Sequence, residues 1–185
     1  MYILGIAGSP RRLTDDGSVW RFGHDAAAVL LRDGELIAAI EEERLSRVKH
    51  STDFPEMAIA ACLEMAGITL DQVDRIVVNF AEETWSMLLR LTLSTLVQPT
   101  TAVLPAHMVF ADSFRRAFGV DVSSKLEFSD HHEGHAWSAI VPSGFDEALV
   151  VVVDGMGDNG IATSVYDYAG GKLERVACSG ESLGF

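Results

Sequence analysis

The sequence predicts an α/β protein in which a strand, a polar loop and a two-stranded hairpin occur together as one unit, at two places in the chain. Three observations carry this. Short apolar runs, Tyr2–Ala7 and Ala148–Val153, each lead into a polar or glycine-containing loop. Each loop is followed by two further runs joined by a tight-turn dipeptide, Asp33-Gly34 in one case and Gly170-Gly171 in the other. Between the units lie segments whose apolar residues recur with helical period.

In chain order, Tyr2–Ala7 reads as a buried strand and Ser9–Gly23 as a loop. Ala26–Arg32 and Glu35–Ile40 form the first hairpin. The charged stretch Glu41–His50 reads as an exposed connection. Pro55 opens a helix that runs to about Ala66 and stops at Gly67, with Met57, Ile59, Ala60, Leu63 and Ala66 as its apolar face. Arg75–Phe80 is a strand. Two helices follow, near Glu83–Val97 and Ala106–Phe118, the second ending at Gly119. Leu126–Ser129 is a short strand, and Glu133–Ile140 is helical with Pro142 helping to end it. Ala148–Val153 has the continuous apolar character of a central strand, and Ile161–Tyr168 with Leu173–Cys178 makes the second hairpin. The repeat suggests a duplicated architecture whose second copy is barely begun. The abrupt close at Ser182-Leu183-Gly184-Phe185, without a polar tail, reads as a fragment.

Composition narrows the function classes. The chain has 185 residues, 48% of them hydrophobic, which suffices for a well-buried core. Its formal charge of −13 argues against non-specific nucleic-acid binding, which needs Lys and Arg for the phosphates, and against anionic membranes. Two cysteines make neither a disulfide framework nor a thiolate zinc site, and Cys62 reads as core. The opening MYILGIAGSP lacks the basic and long apolar regions of a signal peptide. No apolar run reaches the roughly 20 residues of a membrane helix, so a cytoplasmic protein is expected.

Four segments carry chemistry. In Asp130-His131-His132-Glu133-Gly134-His135, His131 and His135 stand four residues apart. On a helix they share one face, about 6 Å apart along the axis, where neutral imidazoles can hold a metal ion. The segment is not HExxH, so the zincin reading fails. The bland alternative is a polar helix start whose histidines cap, hydrogen-bond or face solvent. His132 points off that face, towards substrate or into structure.

The second segment, Gly155-Met156-Gly157-Asp158-Asn159-Gly160, is a literal GxGxxG after a strand. A strand-like pattern follows it where a dinucleotide site needs a helix, so the Rossmann reading is rejected. A glycine-rich turn can still offer amides to phosphate, or be no more than a tight hairpin. Asp154, at the end of the strand, can complete a metal site. The third segment is His24-Asp25 in the first loop: His24 can act as a general base, or be a loop histidine beside a turn-capping Asp. In the fourth, Arg47, Lys49 and His50 can bind an anionic group such as phosphate, or belong to a solvated charged face.

Together these segments resemble the carbamoyltransferases of the nodulation-protein and antibiotic-tailoring type. The resemblance is carried by ILGIAG, HDAAAVLLRDGELIAAIEEERLSRVKH, SDHHEGHAWSA, VVVVDGMGDNG and ESLGF, in family order. It implies the actin/sugar-kinase (ribonuclease H-like) ATPase fold, close to the universal tRNA-threonylcarbamoylation enzyme. The first subdomain would span about 1–145 and the start of the second about 146–185. It further implies a divalent metal, usually iron with zinc or manganese as alternatives, held by His131, His135 and Asp154. Gly155, Gly157, Asp158 and Gly160 would lie at the phosphates of a carbamoyl-adenylate made from carbamoyl phosphate and ATP. His24 and Asp25 would stand at the transferred carbamoyl group, and His132, Arg47, Lys49 and His50 would line the substrate cleft. The acceptor is then a small-molecule hydroxyl. The adenylate-forming domain and a further ligand Asp fall outside this sequence, and the chain alone is expected to be inactive. An apolar face is expected where the remainder of the enzyme packs, with a homodimer or poor solubility as its consequence. The loop Ser9–Gly23 is longer than the family's usual link to the His-Asp pair.

Overall fold

A computed structural model describes residues 1–11, 23–96 and 105–180. The ESLGF motif, and most of the loop expected over Ser9–Gly23, lie outside the described residues. The chain divides into two compact units, Met1–Phe128 and Ser129–Phe185. The division thus falls before the histidine-bearing helix, which belongs by its contacts with the second unit.

The first unit is built on a mixed sheet. Strands β1 (Tyr2–Ala7), β2 (Ala27–Arg32) and β3 (Glu35–Glu41) form an antiparallel meander; β4 (Arg75–Asn79) runs parallel to β1, and β5 (Leu126–Ser129) closes the order β3-β2-β1-β4-β5. The β2–β3 turn has Asp33 and Gly34 at φ 52° and 87°, the left-handed pair that a two-residue hairpin demands. β1 is central. Leu4 pairs with Leu30 on one side and Ile76 on the other, and all three are fully buried. Helices α2 (Glu56–Ala66), α3 (Glu82–Leu96) and α4 (Ala106–Phe118) complete the core. Within it Trp85 meets Phe110 edge-on at 5.2 Å and donates its indole N–H to Asn79 O at 2.6 Å.

Two expectations are corrected here. The Glu41–His50 stretch is not simply an exposed connection. It forms a short helix α1 (Glu42–Ser46), and Glu42 is buried. The Glu42 carboxylate accepts the amides of Ala58 at 2.7 Å and Met57 at 3.3 Å. It thereby caps α2, whose own N-cap residue Pro55 has no side-chain acceptor. The buried face of α2 is also rotated: Ala58, Ile59, Cys62 and Leu63 are buried, whereas Met57 and Ala60 are exposed. This helix is apolar around most of its circumference, so spacing alone could not fix which side faced the sheet.

The second unit carries α5 (His131–Ser143) and an antiparallel sheet of β6 (Glu147–Val153), β7 (Thr163–Ala169) and β8 (Lys172–Ser179), in that order. Ala136, Ile140, Val150, Val152 and Tyr166 form its core. The helix begins two residues before the expected start, because Asp130 caps it by accepting Glu133 N at 2.9 Å. The helix continues through Pro142, which lies in its last turn and donates no N–H to the carbonyl four residues back, and it stops at the left-handed Gly144.

Among the described residues β6 is an edge strand rather than a central one. Val150 and Val152 are buried, while Leu149, Val151 and Val153 are 68%, 58% and 44% exposed. The duplicated unit is plain in the pairing. β1-β2-β3 and β6-β7-β8 are both antiparallel meanders, each with a register shift between its second and third strands.

Candidate metal centre

The first turn of α5 is secured by two carboxylates. Asp130 accepts Glu133 N and also receives Arg175 Nη2 at 3.0 Å. Asp158, from the glycine loop, accepts His131 N at 2.8 Å. Negative groups at a helix N-terminus satisfy its free amides and favour its dipole. The helix so fixed places His131 and His135 on one face, their rings edge-on with centroids 4.5 Å apart.

Asp154, at the end of β6, meets both rings. Its Oδ2 stands 2.7 Å from His131 Nε2 and 3.7 Å from His135 Nε2, and the two Nε2 atoms are 3.1 Å apart. Ligand atoms at ordinary bond lengths around a tetrahedral ion stand about 3.3 Å from one another, and the three observed separations bracket that value. Two imidazoles and a carboxylate suit iron, zinc or manganese alike. Burial, and next the neighbouring His131, push His135 below the ordinary imidazole range. Burial alone would raise Asp154, but the Gly155 amide and the two histidines together hold it below the usual carboxylate range. Both shifts favour the form that binds a cation. An open groove of about 250 Å³ reaches this point, lined by His135, Ala139, Val150–Val153 and Asp154.

The glycine loop is tightly tied. Asp154 N donates to Ala162 O at 2.9 Å, Gly157 N to Ile161 O at 2.6 Å, and Gly155 N to Asp154 Oδ1 at 2.6 Å. After one 3-10 turn at Asp158–Gly160 the chain enters β7, and no α-helix starts at the loop. The amides of Gly155 and Gly157 are engaged within the loop, Asp158 is buried, and Gly155 and Gly160 are exposed. His132 is buried beneath the loop, 1% exposed, with Nδ1 2.8 Å from Ser164 Oγ. Burial, then His131, lowers its pKa.

In the first unit, one carboxylate joins two histidines. Asp25 Oδ2 is 2.7 Å from His24 Nδ1, and Oδ1 is 2.8 Å from His50 Nδ1. His50 N also donates to Glu43 Oε2 at 2.9 Å. Asp25, Arg47 and His50 all have left-handed φ, of 56°, 62° and 52°, a conformation that costs energy in residues with a Cβ. Hydrogen bonds from His50, then His24, lower the Asp25 pKa. Asp25, Glu43 and His50 also bring ligand atoms within 4.8 Å of one another. Arg47 and Lys49 are exposed.

Sequence reasoning missed Asp130, Ser164, Arg175 and Glu42. Asp130 had a signal, since Asp-x-x-Glu is a capping-box spacing. The other three act only through tertiary contacts. No helix among the described residues is long and apolar enough to cross a membrane.

Comparison with known proteins places these features in a family. The chain is 40% identical over 163 residues to nodulation protein NolNO of Sinorhizobium fredii, covering 85% of this chain and 24% of that protein. It is 37% identical over 164 residues to an uncharacterised protein of Synechocystis sp., covering 81% of this chain and 26% of that protein. It thus spans about a quarter of the length of these relatives. Among solved structures, YeaZ from Pseudomonas aeruginosa aligns over 95% of this chain and 64% of its own, with a TM-score of 0.46 and 11% identity. Residues 17–179 match the family described as carbamoyltransferase N-terminus, a span that takes in both hairpins, the histidine pair and the glycine loop, and the chain belongs to that family.

Proposed function

We propose that this chain supplies the metal-binding part of an O-carbamoyltransferase, which moves a carbamoyl group from carbamoyl-adenylate, made from carbamoyl phosphate and ATP, to a hydroxyl of a small-molecule acceptor. The observation that carries this is the convergence of His131, His135 and Asp154, whose ligand atoms lie within 4.8 Å of one another. A bound divalent cation, iron by family resemblance, would act as a Lewis acid on an acyl-phosphate oxygen. His131, His135 and Asp154 would hold it, and α5 with its two capping carboxylates would keep them in place. In the first unit, Asp25 accepts from Nδ1 of His24, which leaves Nε2 of that ring free to take the acceptor's proton. Arg47, Lys49 and His50 would receive anionic groups of the donor. The actin/sugar-kinase fold, a cytoplasmic setting and dependence on the adenylate-forming remainder belong to the same reading, which the duplicated meander supports.

The test is metal content after chelation and repletion, set against His131→Ala/His135→Ala. About one ion per chain, lost in the variant with the fold retained, is expected. A metal-free full-length parent would sink the mechanism.

A further inference from the structure

Gly157 has φ −99° and ψ −163°, extended backbone that any residue adopts. Its missing side chain is required by space instead. A Cβ there would lie 2.6 Å from both Cδ2 and Nε2 of His132, and 3.0 Å from Ile161 O. The ring has little room to retreat. It is 1% exposed, and its Nδ1 is engaged with Ser164 Oγ at 2.8 Å, Ser164 being fully buried. The other ring nitrogen, Nε2, is buried without a hydrogen-bond partner. An unpaired buried polar atom is costly, so this ring is held in place by its surroundings rather than by a partner at Nε2.

We propose that His132 is a positioning residue on which the glycine loop rests, and that it couples the loop to the metal-binding turn of α5. Consecutive loop residues engage consecutive helix residues: Gly157 packs on the His132 ring, and Asp158 Oδ2 accepts the amide of His131. A displacement of the loop is therefore passed to the backbone that aims His131 Nε2 at Asp154, 2.7 Å away. The neighbour of a metal ligand thus sets that ligand's position through packing, without itself touching the ion. This deepens the function proposed above and rests on it only in taking His131 and His135 as ligands.

The experiment is a double-mutant cycle on the intact chain: wild type, Gly157→Ala, His132→Ala and the double variant. Imidazole ¹⁵N signals are recorded without metal, and Co²⁺ is then titrated. Gly157→Ala is expected to move the ring signals of His131 and His135 and to weaken Co²⁺ binding about tenfold. In the His132→Ala background the same change should move the signals little, because the colliding ring is gone. Equal effects in both backgrounds, or none in either, would overturn the proposal. Should His132→Ala not fold, Gly157→Ala alone decides: the His132 signal must move together with that of His131, and movement of His131 without His132 refutes the coupling. Absence of Co²⁺ binding by the wild-type chain would count against the metal reading only, leaving the coupling to be judged on the ring signals.

Discussion

The carboxylate of Asp158 accepts the backbone amide of His131 at 2.8 Å, so the glycine loop caps the helix that carries the histidine pair. A residue that sequence places among phosphate ligands is engaged in holding α5. Asp158→Ala is expected to destabilise the fold by about 1–2 kcal/mol, the usual worth of a lost helix cap, measured by urea denaturation. Asp158→Asn keeps an acceptor oxygen and should recover most of that loss. Equal destabilisation by both changes would mean that charge, rather than capping, is what Asp158 contributes.

Glu42 offers a pH test. Its buried carboxyl has a folded-state pKa above the ordinary value, chiefly through burial, with the Ala58 and Met57 amides pulling the other way. A carboxyl raised in the folded state binds its proton more tightly there than when unfolded. Its contribution to stability is therefore greatest at acid pH and is lost as pH rises through the folded pKa. Glu42→Gln keeps an acceptor and cannot ionise. The stability of wild type relative to Glu42→Gln should fall as pH rises above the unfolded value of about 4.5. A pH-independent difference would show that burial does not shift this group. Glu42→Ala should cost about 1–2 kcal/mol at acid pH, as a lost cap, and less as pH rises through the folded pKa.

Metal affinity should also depend on pH, with the opposite sense. His135 and Asp154 are both lowered, so both remain in the ligand form further into acid than their free counterparts. Cation binding by this pair of ligands is expected to persist below the ordinary imidazole value of 6.5 before protons displace the ion. Competition titration with a chromophoric chelator across pH 5–8 reads this directly. Loss of binding well above that value would contradict the shift.

Asp25 should govern two histidines at once. Each of its oxygens meets an Nδ1, of His24 and of His50. A carboxylate in that position selects the tautomer with the proton on Nδ1 and leaves Nε2 as the base. Asp25→Asn is expected to shift both rings towards mixed tautomers, seen in their ¹⁵N spectra. A change confined to one ring would show that the other is oriented by something else, for His50 the Glu43 contact to its backbone.

Much of this was legible in the sequence, for local reasons. β1, α4 and β5 begin and end where period, turn residues and stop glycines place them. His131 and His135 share a face because four-residue helical spacing is a local feature, whereas their meeting with Asp154 is a tertiary contact that the family resemblance implied. What failed was tertiary. The face of α2 turned because the helix is apolar on several sides. β6 became an edge because strand rank depends on partners rather than on composition. Glu42 read as solvated because nothing in a run of charges reveals that the α2 amides need a distant acceptor. The space under Gly157 was invisible, since a glycine kept for close approach looks the same in sequence as one kept for a turn.

The alternation along β6 has a consequence for handling the protein. Its outward side chains Leu149, Val151 and Val153 form an uncharged apolar ridge beside a strand edge that, among the described residues, carries no neighbour. Such an edge is a template for strand addition between molecules. Opposing this is a formal charge of −13, which keeps like chains apart over a distance that salt shortens, to about 8 Å at physiological ionic strength and about 3 Å at molar salt. Colloidal stability should therefore decline as salt is added. A single lysine at position 151 would restore it in concentrated buffers by blocking the ridge itself, even though it makes the net charge less negative.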